Sequence, residues 1–204
     1  AIAWRAILDS DGANTEAASG LERALSRKGS RDGLADVHAG LADHEPDASI
    51  RAMHALLAGH LYEHQEERAR AVEYYEKAFR IRSIPGKAFD ALVGIHTESK
   101  DVDALEALFE AVSAPLPDQL AQALEQAGAS EKAAEVYRAK LEALPDNASA
   151  AEVLPALVAL EHCLGQSGDW PAVSGCLARR AALSSSDDEQ VAIEAKRRWI
   201  LAEK

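Results

Sequence analysis

Apolar residues recur along the chain with the spacing of helices that are buried on one side. Leu21 and Leu25 lie four positions apart, and Leu157, Leu160 and Leu164 follow one another at spacings of three and four. This spacing places their side chains on one face of a helix with about 3.6 residues per turn. Valine, isoleucine and threonine do not cluster in the alternating runs that indicate strands. The pattern therefore predicts an all-α fold.

Glycine and proline residues divide this pattern at regular intervals. Gly29 and Gly128 mark predicted turns between helices, and Pro46 and Pro145 mark the ends of the helices that follow. The two glycines are 99 residues apart, and so are the two prolines. Proline ends a helix because it lacks an N–H and restricts the residue before it. Since 99 is three times 33, this spacing predicts a repeated unit of two helices.

The clearest copy of the unit lies between Met53 and Pro85. Its marker residues are Gly59 and Tyr62 in the first helix, Ala71, Tyr75 and Ala78 in the second, and Pro85 at the end. Small residues let two antiparallel helices cross closely, and the tyrosines fill the space on either side. This spacing resembles the tetratricopeptide repeat (TPR), a helix pair of about 34 residues.

Weaker copies precede and follow this stretch. The predicted helix pairs span residues 15–48, 52–85, 87–115, 114–147 and 154–187, with partial units at 1–13 and 188–204. The residues that open the second helices recur every 29 to 40 positions, and they are Leu34, Ala71, Ala104, Ala133 and Val173. The third copy is short, and its turn at 99–101 has no glycine. We expect one array of about five pairs; the alternative is a non-repeating helical bundle with glycine and proline at its turns.

The TPR resemblance implies a right-handed α-α superhelix whose first helices line a concave groove. Each helix pair in such an array buries its apolar face against its neighbours. The groove of a TPR protein usually holds an extended segment or a helix of a partner protein, and catalysis is absent. The resemblance therefore implies a non-enzymatic interaction module or scaffold without a cofactor, whose partner is a protein or peptide.

The TPR register also assigns side chains to the groove. The assigned partner-binding residues are Met53, Leu56, His60, His64, Ala91, Ile95, Gln122, Val158 and His162. Glu98, Asp118 and Glu125 lie beside them, so the expected groove is apolar and weakly acidic, with imidazoles. TPR proteins that bind the acidic carboxyl terminus of chaperones carry lysine, arginine and asparagine there, whereas Leu56 and His60 stand in this chain. A neutral or basic partner segment is expected instead.

Charge and hydropathy exclude two classes of partner. The formal net charge is −12 and the pI is near 5.0. Phosphate binding needs a basic face, and here lysine and arginine are scattered among more numerous acidic residues. A membrane-spanning helix needs a run of about 18 apolar residues, which the sequence does not contain. We therefore expect neither a nucleic-acid partner nor membrane insertion.

Two short features suggest chemistry that the helical pattern does not support. Residues 60–64 fit the H-x-x-E-H string of inverted zinc proteases, and imidazoles at i and i+4 can share a metal ion. That protease family surrounds its site with a mixed sheet, whereas this sequence predicts only helices, so we assign no metal or catalytic residue.

Cys163 and Cys176 lie on the two helices of one predicted hairpin. We expect small buried hydrophobes there, with a disulfide as the alternative.

The leading hypothesis is thus a protein-interaction array. The chain begins without a methionine and stops within a predicted helix, so we expect a piece of a larger protein. The alternative is a structural spacer or a self-associating segment, in which exposed array ends make the contacts. Ile200 and Leu201 are the apolar residues at the carboxyl-terminal end that would do so.

Overall fold

The structure is a computed structural model that describes residues 3, 4, 6, 7, 14–28 and 31–204. The two long stretches contain eleven α-helices and no β-strand, which confirms the predicted all-α fold. The helices are α1 (Thr15–Lys28), α2 (Arg31–His44), α3 (Ala48–His64), α4 (Arg68–Arg82), α5 (Lys87–Ser99), α6 (Val102–Glu110), α7 (Pro117–Gln126), α8 (Ser130–Ala143), α9 (Ala150–Ser167), α10 (Trp170–Leu183) and α11 (Asp187–Glu203). None of these helices is long and apolar enough to cross a membrane. The predicted turn at Gly29 and most of the partial unit at 1–13 lie outside the described residues.

The helices form two compact units. The N-terminal unit comprises the described part of Ala1–Ile95 together with Glu110–Ser113. The C-terminal unit comprises His96–Phe109 and Ala114–Lys204. Consecutive helices pack against each other within each unit, from α1 to α4 in the first and from α7 to α11 in the second. This serial packing is typical of helical repeats.

Four turns between paired helices share one backbone geometry. A residue with positive φ precedes each second helix, and these residues are Glu66 (63°), Lys100 (57°), Gly128 (83°) and Gly168 (80°). In each turn the next N–H donates to the carbonyl five positions earlier, at 2.8–3.0 Å. This bond satisfies a carbonyl at the end of the first helix. The predicted turn without glycine keeps the same conformation, because Lys100 takes the glycine position.

This geometry corrects the register of the third predicted pair. Five residues after the positive-φ positions stand Ala71, Leu105, Ala133 and Val173, none of them more than 2% exposed. The equivalent residue is therefore Leu105, and the choice of Ala104, which is half-buried, was wrong by one position. The error arose because this turn has no glycine, and the glycine of a turn is the residue from which positions in the second helix are counted in the sequence.

Helices α3 and α4 pack closely around Gly59. A Cβ atom on Gly59 would lie 2.7 Å from Cδ1 of Tyr75, closer than carbon atoms approach. Tyr62 and Ala71 are fully buried beside this crossing, and Tyr75 is 2% exposed. The Tyr75 hydroxyl donates to the Glu63 carboxylate at 2.6 Å. These contacts confirm the predicted roles of the small and aromatic residues in the clearest repeat.

Ion pairs link the second helices α2 and α4 at the repeat spacing. Arg70 lies 3.0 Å from Asp36, and Lys77 lies 2.7 Å from Asp43. The partners in each pair are 34 residues apart. All four side chains are at least one third exposed, so each pair contributes at most about 1 kcal/mol. Their common spacing, rather than their strength, is evidence that α2 and α4 are equivalent elements.

A histidine pair joins α2 to α3. Nδ1 of His38 lies 3.1 Å from Nδ1 of His54, and the ring centroids are 5.2 Å apart. Such a wide centroid separation means that the rings meet edge to edge and share one N–H···N hydrogen bond. Because the accepting nitrogen must carry no proton, at least one imidazole is neutral. Burial lowers the pKa of both histidines below 6.5, although the negative charge of Glu22 opposes the shift.

We expect the free energy of unfolding to fall as the pH drops below about 6.5. The unfolded histidines bind protons near pH 6.5, whereas the folded pair resists them. The neutral histidine pair therefore contributes fully to the free energy of unfolding above the pKa of the unfolded histidines. This contribution is lost as the pH falls toward the lower pKa values of the histidines in the folded state. The loss between about pH 7.5 and 5.5 should be about 1–2 kcal/mol, measured by urea unfolding followed by circular dichroism.

The control for this pH effect is the double variant His38→Gln/His54→Gln. Glutamine keeps hydrogen-bonding capacity at both positions and does not titrate. The variant should show a flatter dependence of unfolding free energy on pH. An unchanged dependence would assign the effect to other groups.

The two cysteines are free and buried. Cys163 on α9 is fully buried, and Cys176 on α10 is 7% exposed. Burial, with a smaller contribution from the nearby Glu125 carboxylate, raises the pKa of Cys163 to about 12. A thiol with so high a pKa is a poor nucleophile at neutral pH. Both residues therefore act as the small buried hydrophobes that we predicted.

Candidate functional site

A cleft of about 330 Å³ opens on the N-terminal unit between α3 and the start of α5. Pockets of roughly this size and larger are typical of small-molecule and side-chain binding. The lining residues come from α3, the end of α4, the following loop and the first turn of α5. They are Ser49, Ala52, Met53, Leu56, Ala78, Phe79, Ile84, Pro85, Gly86, Lys87, Ala88 and Phe89.

Two aromatic rings form the floor of the cleft. Phe79 is 7% exposed and Phe89 is 2% exposed, and their ring centroids lie 5.8 Å apart. The walls are more accessible, since Met53 is 49% exposed and Ile84 is 48% exposed. Leu56 is half-buried beside them. The cleft therefore offers accessible aliphatic side chains above a rigid aromatic base.

The local sequence explains why the chain opens here. Helix α4 ends at Arg82, and Ser83 follows with a left-handed conformation at φ 47°. Its N–H donates to the carbonyl of Phe79 at 2.6 Å, which closes the last turn of the helix. Pro85 cannot continue the helix, and α5 begins only at Lys87. The loop thus carries Ile84 out of both helices and leaves it at the edge of the cleft.

The cleft has little charge. Lys87 supplies an ammonium group at the rim, and Ser49 supplies a hydroxyl. Ser49 stands at the start of α3, where its backbone N–H donates to the Asp47 carboxylate at 2.8 Å. A cleft with an apolar interior favours an apolar ligand group, and the few polar groups at its edge can orient the rest of the ligand.

Helix α3 carries four of the predicted partner-binding residues along one exposed face. Met53 and Leu56 line the cleft. His60 and His64 are exposed one and two turns further along the helix. Spacings of three and four residues place the four on neighbouring positions of one face. The structure thus brings Met53 and Leu56 together in one site and extends their surface with two imidazoles.

The two predicted groove residues of α5, Ala91 and Ile95, are less accessible than most of those of α3. Ala91 is half-buried. Ile95 is only 6% exposed, so its assignment to an accessible groove was wrong. Arg68 of α4 donates a hydrogen bond to the Ile95 carbonyl, which links this part of α5 to the start of α4. Ile95 therefore belongs to the core of the N-terminal unit.

The remaining predicted residues belong to the C-terminal unit. Gln122 is exposed on α7, and Val158 is 45% exposed on α9. His162 is exposed one turn after Val158, and its Nε2 lies 2.8 Å from Nε2 of Gln166. These residues do not line the cleft between α3 and α5.

Sequence reasoning missed several residues of the site. Ile50 is 43% exposed and Leu57 is 39% exposed, both on the accessible face of α3. A spacing of 3, 4, 3 and 4 runs through Ile50, Met53, Leu57, His60 and His64, and this signal was present in the sequence. Ile84 carried no such signal, because its exposure depends on where α4 ends.

The C-terminal unit has clefts of a different character. One, of about 450 Å³, is lined by the starts of α6 and α8, the turn before α8 and the end of α9, and it contains Lys132, which lies 2.6 Å from Glu106. Another, of about 340 Å³, contains Arg138, which lies 3.5 Å from Asp169. An apolar group bound there would have to desolvate paired charges without replacing their partners. The cleft of the N-terminal unit is therefore the better candidate for apolar recognition.

Comparison with known proteins identifies the helix pair that builds this cleft. Residues 55–89 match the tetratricopeptide repeat family. The chain thus contains a TPR-like helical repeat. TPR proteins are typically non-enzymatic and act as scaffolds for protein–protein interaction. The match runs from the middle of α3 to Phe89, so it includes most of the residues that line the cleft.

Other comparisons add little. No curated protein matches the chain. Among solved structures, the chain is similar to BtubC (BKLC) from P. vanneervenii, at 16% sequence identity and a TM-score of 0.42. That similarity covers 88% of this chain and 85% of the other. We draw no functional conclusion from a similarity at this level.

Proposed function

We propose that the N-terminal unit binds an extended or helical segment of a partner protein and receives one of its apolar side chains in the cleft. Met53, Leu56 and Ile84 would contact that side chain. His60, His64 and Ala91 would extend the contact surface, and Gln122, Val158 and His162 would form a separate one on the C-terminal unit. In this proposal the chain acts as a protein-interaction module.

One observation carries the proposal: accessible aliphatic side chains surround a buried aromatic floor. Binding is favoured when a ligand covers exposed aliphatic side chains, because apolar surface is then removed from water. Burying one side chain of leucine or phenylalanine size contributes about 1.5–3 kcal/mol. Since 1.4 kcal/mol is a factor of ten in Kd, one anchor side chain accounts for roughly 10- to 100-fold in affinity.

The rim defines the residues beside that anchor. Lys87 is exposed at the start of α5 and would repel a lysine or arginine next to the inserted side chain. We therefore propose a neutral partner segment with an aliphatic or aromatic anchor. The sequence analysis expected a neutral or a basic partner segment, and this proposal keeps only the neutral one.

The proposal predicts that Leu56→Arg weakens partner binding at least about tenfold, because the guanidinium fills the cleft and cannot be desolvated there. Peptides selected from a random displayed library against the unmodified protein supply the ligands. Their Kd values for each variant are then measured by fluorescence polarisation. Met53→Glu, one turn earlier on the same face of α3, should have an effect of similar size.

The matched control is Val191→Arg. Val191 is 70% exposed on α11 of the C-terminal unit, so this change adds the same charge to an exposed aliphatic position outside the cleft. Its Kd values should equal those of the unmodified protein. Peptides that bind Leu56→Arg and the unmodified protein equally well would refute the proposal, and so would a failure to select any peptide.

Self-association is the second candidate function. It is favoured by Val191 (70% exposed), Trp199 (56%) and Leu201 (65%), all on α11. Ile200, which the sequence analysis assigned to this surface, is 2% exposed and packs inside the C-terminal unit. Light scattering against protein concentration distinguishes the two functions: a mass that increases with concentration, and less so in Val191→Arg, would favour self-association.

A further inference from the structure

Two histidines at i and i+4 stand side by side on the surface of α3. His60 and His64 are both exposed, and their ring centroids lie 4.5 Å apart with the rings inclined at 75°. This spacing on a helix places two imidazoles on one face, as in helical zinc-binding motifs. Both rings are at the surface, so rotation about their side-chain torsions can turn a nitrogen of each toward a shared point.

The backbone that carries this pair is firmly held. Tyr62 lies between the two histidines, is fully buried, and donates to the Asp36 carboxylate at 2.9 Å. Gly59 lies against the ring of Tyr75 at the start of the same turn. The helical spacing of the two imidazoles is therefore fixed before any ion arrives, which lowers the entropic cost of binding.

The nearby carboxylate has another partner. Glu63 lies between His60 and His64 in sequence, but its carboxylate accepts a hydrogen bond from the Tyr75 hydroxyl at 2.6 Å. Among the described residues, no group of three or more histidine, cysteine, aspartate or glutamate side chains is arranged to hold a metal ion. Within the described part of the chain, the site would therefore have two nitrogen ligands from the protein.

We propose that His60 and His64 form a two-imidazole binding site for a divalent transition-metal ion of the zinc, nickel or copper class. Imidazole nitrogen suits these ions, whereas magnesium and calcium prefer oxygen ligands. The remaining coordination positions would hold water. His64 lies in the last turn of α3, where the partial negative charge of the helix end also favours a cation. The site does not depend on the proposed binding of a partner in the cleft.

Isothermal titration of the full chain without an affinity tag, with Ni²⁺ and Zn²⁺ at about pH 7.5, tests the site, since neutral imidazole is the ligand form. We expect one ion per chain. His60→Ala and His64→Ala should each weaken binding at least about tenfold, because each removes one of two ligands. Mg²⁺ should give no binding. Bound Ni²⁺ should also raise the Tm of the unmodified chain, but not the Tm of either variant.

The matched control is His44→Ala, which removes an exposed histidine from the last turn of α2, a position equivalent to that of His64 in α3. Its affinity for Ni²⁺ and Zn²⁺ should equal that of the unmodified chain. The proposal is overturned if no ion binds, if His60→Ala and His64→Ala retain full affinity, or if His44→Ala loses as much affinity as they do. Circular dichroism of all three variants ensures that a lost signal reflects a lost ligand.

Discussion

Replacing Arg180 and Lys196 together by methionine should destabilise the C-terminal unit by about 3–5 kcal/mol. Both cations contact Glu161 of α9, which is 6% exposed. Nη1 of Arg180 on α10 lies 2.5 Å from one carboxylate oxygen, and Nζ of Lys196 on α11 lies 2.6 Å from the other. Without them the carboxylate would be buried with no opposite charge. Urea unfolding at neutral pH measures the loss.

The pH dependence separates this electrostatic loss from a loss of packing. Burial alone would raise the pKa of Glu161, but the hydrogen bonds from Lys196 and Arg180 outweigh it and hold the pKa below 4.5. The natural triad therefore stabilises the fold above pH 4.5, and this contribution is lost as the pH falls through the folded value. In the double variant burial acts unopposed and raises the pKa, so its deficit should shrink as the pH falls and the carboxyl becomes neutral.

Two controls accompany the double variant. Arg179→Met/Arg198→Met removes one exposed cation from each of the same two helices and should change stability by less than about 0.5 kcal/mol. The triple variant Glu161→Leu/Arg180→Met/Lys196→Met removes the whole triad and should lie within about 1 kcal/mol of the natural protein. A triple variant as unstable as the double would show that the cations act through packing.

Glu161 also shows why the repeats look degenerate in sequence. Seven residues before the positive-φ position of the turn, α3 has Gly59, α7 has Ala121 and α9 has Glu161. Gly59 and Ala121 let a helix approach closely. Glu161 instead holds α10 and α11 through its two oxygens. In these three helices one structural position is thus filled either by a small residue or by a charged one, and a search for small residues finds only the first kind.

The helices and their turns were predictable where local chemistry fixed them. Gly128 and Gly168 adopt the positive φ that the turn requires, and proline residues follow the ends of α2, α4 and α8. Helix α9 was placed at residue 154, whereas it begins at Ala150. A capping box formed by Ser149 and Glu152 starts it there. That signal was readable in the sequence.

The candidate site was less predictable because it depends on contacts between elements. The sequence placed Met53 and Leu56 on one face of α3, because the period of a helix determines its faces, and both residues line the cleft. It could not show that Phe79 and Phe89 meet beneath them, because these residues come from different helices. The assignment of Ile95 failed for the same reason: it lies on the expected face of α5, but packing in the folded protein leaves it only 6% exposed. Helical periodicity gives the faces of a helix, whereas tertiary packing decides which of them remain accessible.

Gly59→Val is expected to destabilise the N-terminal unit by about 3 kcal/mol. A Cβ atom at this position would lie 2.7 Å from Cδ1 of Tyr75, and valine adds two further carbons. The Tyr75 ring cannot move aside easily, because it is 2% exposed and its hydroxyl is bound to Glu63. Valine forms helices better than glycine by less than 1 kcal/mol, which is too little to offset the clash. Thermal or urea unfolding measures the net change.

Gly94→Ala is the matched control, since Gly94 lies within α5 and a Cβ there would meet no atom within 4 Å. It should stabilise the protein by up to about 1 kcal/mol, because alanine favours the helix and meets no obstacle. A double-mutant cycle then tests the cause of the clash: Gly59→Ala should cost less in a Tyr75→Leu background than in the natural protein. Equal costs in both backgrounds would show that the Tyr75 ring does not limit how closely α3 and α4 approach.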